Sequence, residues 1–174
     1  MAQEFQAELG RVSNAHWIST KHNDRSFEWL PLIKISDSGI WLGIDRESQW
    51  ILGRTQGNIV LSNADMALPQ PWLTVLELGE TVFWERLREA AHLHGLSADY
   101  LAAKVPIDDI IALGLRTRNQ HWAERATHWL TERQPREDHI DLLRETSTSR
   151  WATQWTRQTA SRMVAALKRQ TRGE

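Results

Sequence analysis

Four side chains in the segment RNQHWAERATHWLTER have the types to hold a metal or move protons: His121, Glu124, His128 and Glu132, spaced i, i+3, i+7 and i+11 on one helical face. A zinc pair on one helix wants donors at i and i+4. His121 and His128 are two turns apart, about 10 Å, too far to share an ion. Glu124 and His128 have suitable spacing but supply only two ligands, and Arg125 on the same face repels a cation. The face reads as solvated and charge-laced, with no metal or cofactor assigned.

The other candidates for chemistry reduce to local structure. His94 falls on an apolar helical stripe, where a lone imidazole is usually a hydrogen-bonded core residue, and His92 points about 200° away from it. Asp108 and Asp109 follow Pro106 in a first helical turn, where acids suit the macrodipole. No serine lies in a G-x-S-x-G elbow, and neither G-x-G-x-x-G nor G-x-x-x-x-G-K-[ST] occurs. Zero cysteines exclude disulfides, thiol nucleophiles and cysteine-held zinc. The balance leans away from an enzyme. One catalytic alternative stays open, a site assembled from distant residues such as His16, Asp45 and His121.

Charge is divided along the chain. From residue 77 to 114 there are seven acids and three bases, and Glu85, Glu89, Asp108 and Asp109 form an expected acidic helical surface for a basic protein partner. Between 150 and 172 stand six cations, Arg150, Arg157, Arg162, Lys168, Arg169 and Arg172, with no acid before Glu174. Arg150, Arg157 and Lys168 share a ridge opposite Trp155 and Met163, which is the alternative, nucleic-acid-binding surface. The whole chain has 21 Lys+Arg against 22 Asp+Glu, so its net charge favours neither nucleic acid nor an anionic membrane.

Residues 87–110, LREAAHLHGLSADYLAAKVPIDDI, resemble the helix-turn-helix of phage-repressor-type regulators, in which an LR-x-A helix precedes GLS, a short LA-containing helix and the recognition helix. The resemblance implies that PIDDIIALGL would read DNA. That element carries Asp108 and Asp109 and no Arg, Lys, Asn or Gln, the donors on which major-groove reading relies.

The elements that must position these residues follow from punctuation. From 27 to 62 the chain reads FEWLPLIKI, SDSG, IWLGI, DRES, QWILG, RTQG, NIVLS: short apolar runs between turn-forming tetrads, an antiparallel meander of about four strands. Ile40, Trp41, Leu42 and Ile44 are nearly continuous, as in a strand covered on both faces. Whether His16, Trp17 and Ile18 add a strand is left open. Pro71 opens a helix ended by Gly79, and a second from Glu80 to Gly95 buries Phe83, Trp84, Leu87, Ala90, Ala91 and His94. Ser97 caps a short helix, and Pro106 opens another that stops at Gly114. Thr117 and Gln120 match a capping box for a helix to about Arg133; a short helix spans about 140–144 and a last one about 149–169.

The expected fold is thus α+β, an N-terminal β-meander followed by a bundle of about five or six helices packed on it. It forms one domain, 1–174, with a β-rich lobe at about 12–62 and a helical lobe at about 71–170. Eight of the ten tryptophans, Trp29, Trp41, Trp50, Trp84, Trp122, Trp129, Trp151 and Trp155, read as core, leaving Trp17 and Trp72 undefined. Neither a secretory signal nor a transmembrane run is found, so a cytoplasmic location without a membrane partner is expected. The functional expectation is a non-catalytic interaction module, such as a bacterial immunity protein, antitoxin or adaptor that masks a basic partner. Homo-oligomerisation is left open.

Overall fold

The computed structural model describes residues 2–22, 25–56, 60–62 and 70–170. The chain divides into two compact units, Met1–Thr74 with Thr81–Val105, and Val75–Glu80 with Pro106–Glu174. In the first, α1 (Ala2–Arg11) and a single 3-10 turn (Asn14–His16) precede five strands: β1 (Ile18–His22), β2 (Arg25–Lys34), β3 (Ile40–Asp45), β4 (Trp50–Arg54) and β5 (Val60–Ser62). They pair in chain order, each antiparallel to the next, so the expected meander is present and its first strand is β1. The α+β class holds. Helix α1 was not among the expected elements, although Phe5, Leu9 and Val12, buried at i, i+4 and i+7, carry a helical period.

The turn tetrads work as their residue types require. Gly39 takes φ 82°, closing β2 to β3 where Ile35 N donates to Ile40 O at 2.8 Å. In DRES the Asp45 carboxylate accepts from Glu47 N at 3.0 Å and Gln49 N at 2.7 Å, replacing ladder partners that the loop leaves unmade. Gly57 of RTQG lies outside the described residues. Four consecutive residues of β4, Trp50 to Gly53, are buried, as in a strand covered on both faces. The Trp29 indole, fully buried, donates to the buried Thr20 hydroxyl across β1 and β2 at 3.0 Å.

Two helices complete this unit, α2 (Glu80–His94) and α3 (Ala98–Lys104). Phe83, Leu87, Ala90 and Ala91 of α2 are buried, and Gly95 ends the helix at φ 66°. Arg86 donates to the Lys34 carbonyl at 2.7 Å, and Ser97 caps α3 by accepting from Tyr100 N. Glu8 of α1 accepts from Ser97 N at 2.7 Å, while Phe5 stacks on Tyr100 with centroids 4.1 Å apart.

The second unit holds α4 (Ile107–Arg116), α5 (Gln120–Glu132), a 3-10 turn (Glu137–His139), α6 (Ile140–Thr148) and α7 (Gln154–Gln170), together with the end of a 3-10 helix spanning Gln70–Leu78. Here the structure corrects three boundaries. Gly114 does not end α4: it sits inside the helix, where an added Cβ would stand 3.0 Å from both Ala126 Cβ and Leu76 Cδ1, so hydrogen there serves close packing. Thr117 is the C-cap of α4, and Asn119 caps α5 by accepting from His121 N and Trp122 N. The last helix begins at Gln154, after Trp151, which lies in a turn.

The tryptophan assignment also changes. Trp17, Trp29, Trp50, Trp72 and Trp129 are buried, so both undefined indoles are core, while Trp41, Trp84, Trp122 and Trp151 are half-buried and Trp155 is 37% exposed. On α7 the buried positions are Thr156, Thr159, Ala160, Val164 and Leu167. Small side chains make that face, which a search for large apolar residues passes over.

Gly43 of β3 leaves no room for a side chain. A Cβ there would lie 2.1 Å from Leu30 O and 2.7 Å from Trp29 Cε3. Gly43→Ala should therefore cost about 3 kcal/mol or more by urea denaturation. Gly10→Ala, in α1 with no heavy atom within 4 Å of the added methyl, should instead gain about 0.5 kcal/mol.

Candidate functional site

The four expected acidic positions belong to different units. Glu85 and Glu89 are exposed on α2, whereas Asp108 and Asp109 open α4 in the second unit. Asp109 is exposed. Asp108 is already engaged: its Oδ1 lies 3.2 Å from Arg133 Nη2 and its Oδ2 3.0 Å from Arg136 Nη1, with the carboxylate only 26% exposed. Its carbonyl faces the Nε2 of buried His139 at 3.4 Å, and His139 Nδ1 accepts from Arg136 N at 3.3 Å. With Nδ1 turned to the Arg136 amide, Nε2 is the ring nitrogen that faces the Asp108 carbonyl, and His139 clips the α5–α6 connection onto the start of α4. Asp108 thus ties the end of α5 and the α5–α6 connection to the start of α4, through two guanidiniums on its carboxylate and an imidazole on its carbonyl. The sequence gives no local signal for the cluster, because Arg136 and His139 stand 28 and 31 residues from Asp108.

The same α4 bears on the helix-turn-helix resemblance. Helices do occupy 80–94, 98–104 and 107–116, but six of the ten residues of α4, Ile107, Ile110, Ile111, Ala112, Gly114 and Leu115, are buried. A helix that reads a groove must present its side chains to solvent.

The distant catalytic set is divided between the two units. His121 lies in the second unit, where Glu77 bridges it and Arg125, Oε1 to His121 Nε2 and Oε2 to Arg125 Nε at 3.1 Å. In the first unit Asp45 serves its turn, and partial burial pushes its carboxyl above the ordinary range against the two amides donated to it. His16 meets His94 edge to face, centroids 5.0 Å apart. Partial burial first, and the neighbouring His16 second, hold His94 below the usual imidazole value. Among the described residues no three His, Asp or Glu side chains group as a metal site, and no helix is long and apolar enough to cross a membrane.

Of the basic set, Arg150 is exposed, but the Arg157 guanidinium is turned onto the carbonyls of Ala152 and Ser149. It closes the turn before α7. Lys168 is exposed on the same helix, and Arg172 lies outside the described residues.

What the sequence reading missed is the apolar part of the α2 surface. Val82, Leu93 and Trp155 are the large hydrophobic residues exposed among the described ones, and two of the three lie on α2, Val82 at 39% and Leu93 at 73%. At 100° per residue, Glu89 and Leu93 fall about 20° to either side of Val82, with Glu85 about 60° away. Apolar residues off the buried arc of α2 were the available signal. No protein-family model matches this chain, and no curated protein or solved structure is significantly similar to it.

Two outcomes follow. Asp108→Asn, which leaves Arg133 without its carboxylate and Arg136 with Asp138 alone, should destabilise the protein by about 1–2 kcal/mol in denaturant titration. Because the folded state holds a proton on His94 less readily than the unfolded chain does, stability is lost as pH falls through the unfolded value of about 6.5. His94→Gln should therefore show a smaller drop in melting temperature than wild type between about pH 7.5 and 5.5.

Proposed function

We propose that the protein is a non-catalytic interaction module that captures a basic partner on the exposed edge of α2, in the manner of an immunity protein, antitoxin or adaptor. The observation that carries this reading is Leu93, 73% exposed and aligned with Val82 beside the carboxylates of Glu85 and Glu89. A single exposed leucine is ordinary on a protein surface. Two apolar residues aligned on the polar side of a helix, with acids between and beside them, make an anchor with a charged rim. Arg86, the α2 cation nearest this edge by helical angle, has its guanidinium directed to the Lys34 carbonyl.

Opposite charge across such an edge acts mainly on encounter rate and partner choice, while the apolar contact slows release. Asp109 can extend the acidic character of its own unit, but Asp108 is a structural residue in this reading. The nucleic-acid alternative on Arg150, Arg157 and Lys168 is weakened by the use of Arg157 in the turn before α7.

The test is capture from host lysate at about 50 mM salt, followed by association kinetics with the recovered protein. A stoichiometric partner with a basic surface is expected, with Glu85→Lys/Glu89→Lys lowering its on-rate at least about tenfold and Leu93→Ser raising its off-rate. A partner retained equally by both variants, or none retained by wild type, would overturn the proposal.

A further inference from the structure

The second unit carries a surface of opposite character. Between the C-terminal end of α5 and α7 runs an open groove of about 500 Å³, with Leu130, Pro135, Met163 and Ala166 supplying apolar lining. Trp155 stands in it, 37% exposed, stacked on His128 with ring centroids 4.2 Å apart and planes at 22°. On α7, Trp155, Arg162 and Arg169 recur every seven residues and so stay within about 40° of one another. The described helix holds four cations, Arg157, Arg162, Lys168 and Arg169, and no carboxylate. Arg162, which lines the groove, is steadied by donating to Thr159 Oγ1 at 3.0 Å.

We propose that this groove binds an acidic amphipathic helix of a partner protein. An aliphatic or aromatic side chain of that helix seats against Trp155 and Met163, and carboxylates seven residues apart meet Arg162 and Arg169. Tryptophan, arginine and methionine are the residue types enriched where protein interfaces are most buried, and the unbranched Met163 adapts to the shape of an inserted side chain. Two cations seven helical residues apart are separated by about 10 Å, a spacing that carboxylates at i and i+7 of another helix reproduce.

A nucleic-acid strand fits less well. Arg157 and Lys168 point about 200° and 220° round the helix from Trp155, so they extend no cationic track along the groove. Glu132 also lines the groove, and its charge opposes phosphate and partner carboxylate alike, so the arrangement of the cations is what separates the two. The proposal is independent of the α2 edge, which belongs to the other unit and has the opposite charge. Taken together the two surfaces describe an adaptor that joins a basic protein to an acidic one.

The experiment uses the full chain and a fluorescein-labelled helical peptide of about 20 residues, with Glu at i and i+7 flanking Leu at i+3 and i+4. The same peptide with Lys for Glu and a 15-nucleotide oligo-dT serve as competing probes. The Glu peptide is expected to bind by anisotropy with a micromolar Kd at about 50 mM salt and to weaken at least about tenfold with Arg162→Glu or Trp155→Ala. Arg162→Glu, on an exposed helical position, should keep the wild-type melting temperature and should shift preference toward the Lys peptide. A Glu peptide that binds no tighter than the Lys peptide overturns the proposal, as does binding unchanged in Arg162→Glu. Oligo-dT binding tighter than the Glu peptide would make the groove a nucleic-acid site. Loss of the α2-edge partner with peptide binding intact would sink the earlier reading alone, and the reverse result would sink this one.

Discussion

Leu76 is the residue on which the second unit closes. Its carbonyl accepts the buried Trp129 indole N–H at 3.1 Å, and its Cδ1 is one of the two atoms that leave no room for a side chain at Gly114. Next to it, Glu77 spans His121 and Arg125 of the same α5. A buried indole must place its one donor, and a 3-10 turn offers carbonyls without the regular helical partner. Trp129 and the 70–78 segment therefore satisfy each other. This is why a short stretch of chain, Val75–Glu80, clusters with α4 to α7 although the residues on either side of it cluster with the sheet.

The first unit obeys a similar rule with different parts. Trp29 finds its acceptor in Thr20 one strand away, and Gly43 makes room where β3 passes the Leu30 carbonyl and the Trp29 ring. Large rings at those positions demand small residues opposite, because interiors are packed to crystal-like density. The same trade recurs on α7, where Thr156 and Ala160 are buried and Trp155 is left at the surface. That rotation of the helix turns an indole from a core residue into the wall of a groove.

Charge is distributed by the same logic. Carboxylates and guanidiniums that lie near an interior are committed to one another, as Asp108 is to Arg133 and Arg136, or to backbone, as Arg157 and Asp45 are. Exposed charges define the two proposed surfaces: Glu85 and Glu89 with Val82 and Leu93 on α2, and Arg162 and Arg169, which donate to Thr159 Oγ1 and the Ala165 carbonyl, with Trp155 on α7. In each proposed surface one sign of charge predominates beside an exposed apolar residue, the combination that lets association be both steered and retained.

Local features of the chain were legible without its fold. The apolar runs separated by SDSG and DRES specified strands and turns, since turn chemistry acts within four residues. Gly79, Gly95 and Ser97 marked helix ends for the same reason, and the buried arc of α2 followed from its period. The misplaced boundaries, Gly114 and Thr117, came from residues whose conformation or hydroxyl fits a terminus equally well inside a packed helix or at another cap. What only the tertiary structure decided was which of several suitable residues meet. That Asp108 is a structural ion pair, that Trp72 is core and Trp155 is not, and that Val82 and Leu93 face solvent all depend on contacts between segments tens of residues apart. Sequence periodicity tells which side chains share a face, but whether that face is covered depends on what the rest of the chain brings to it.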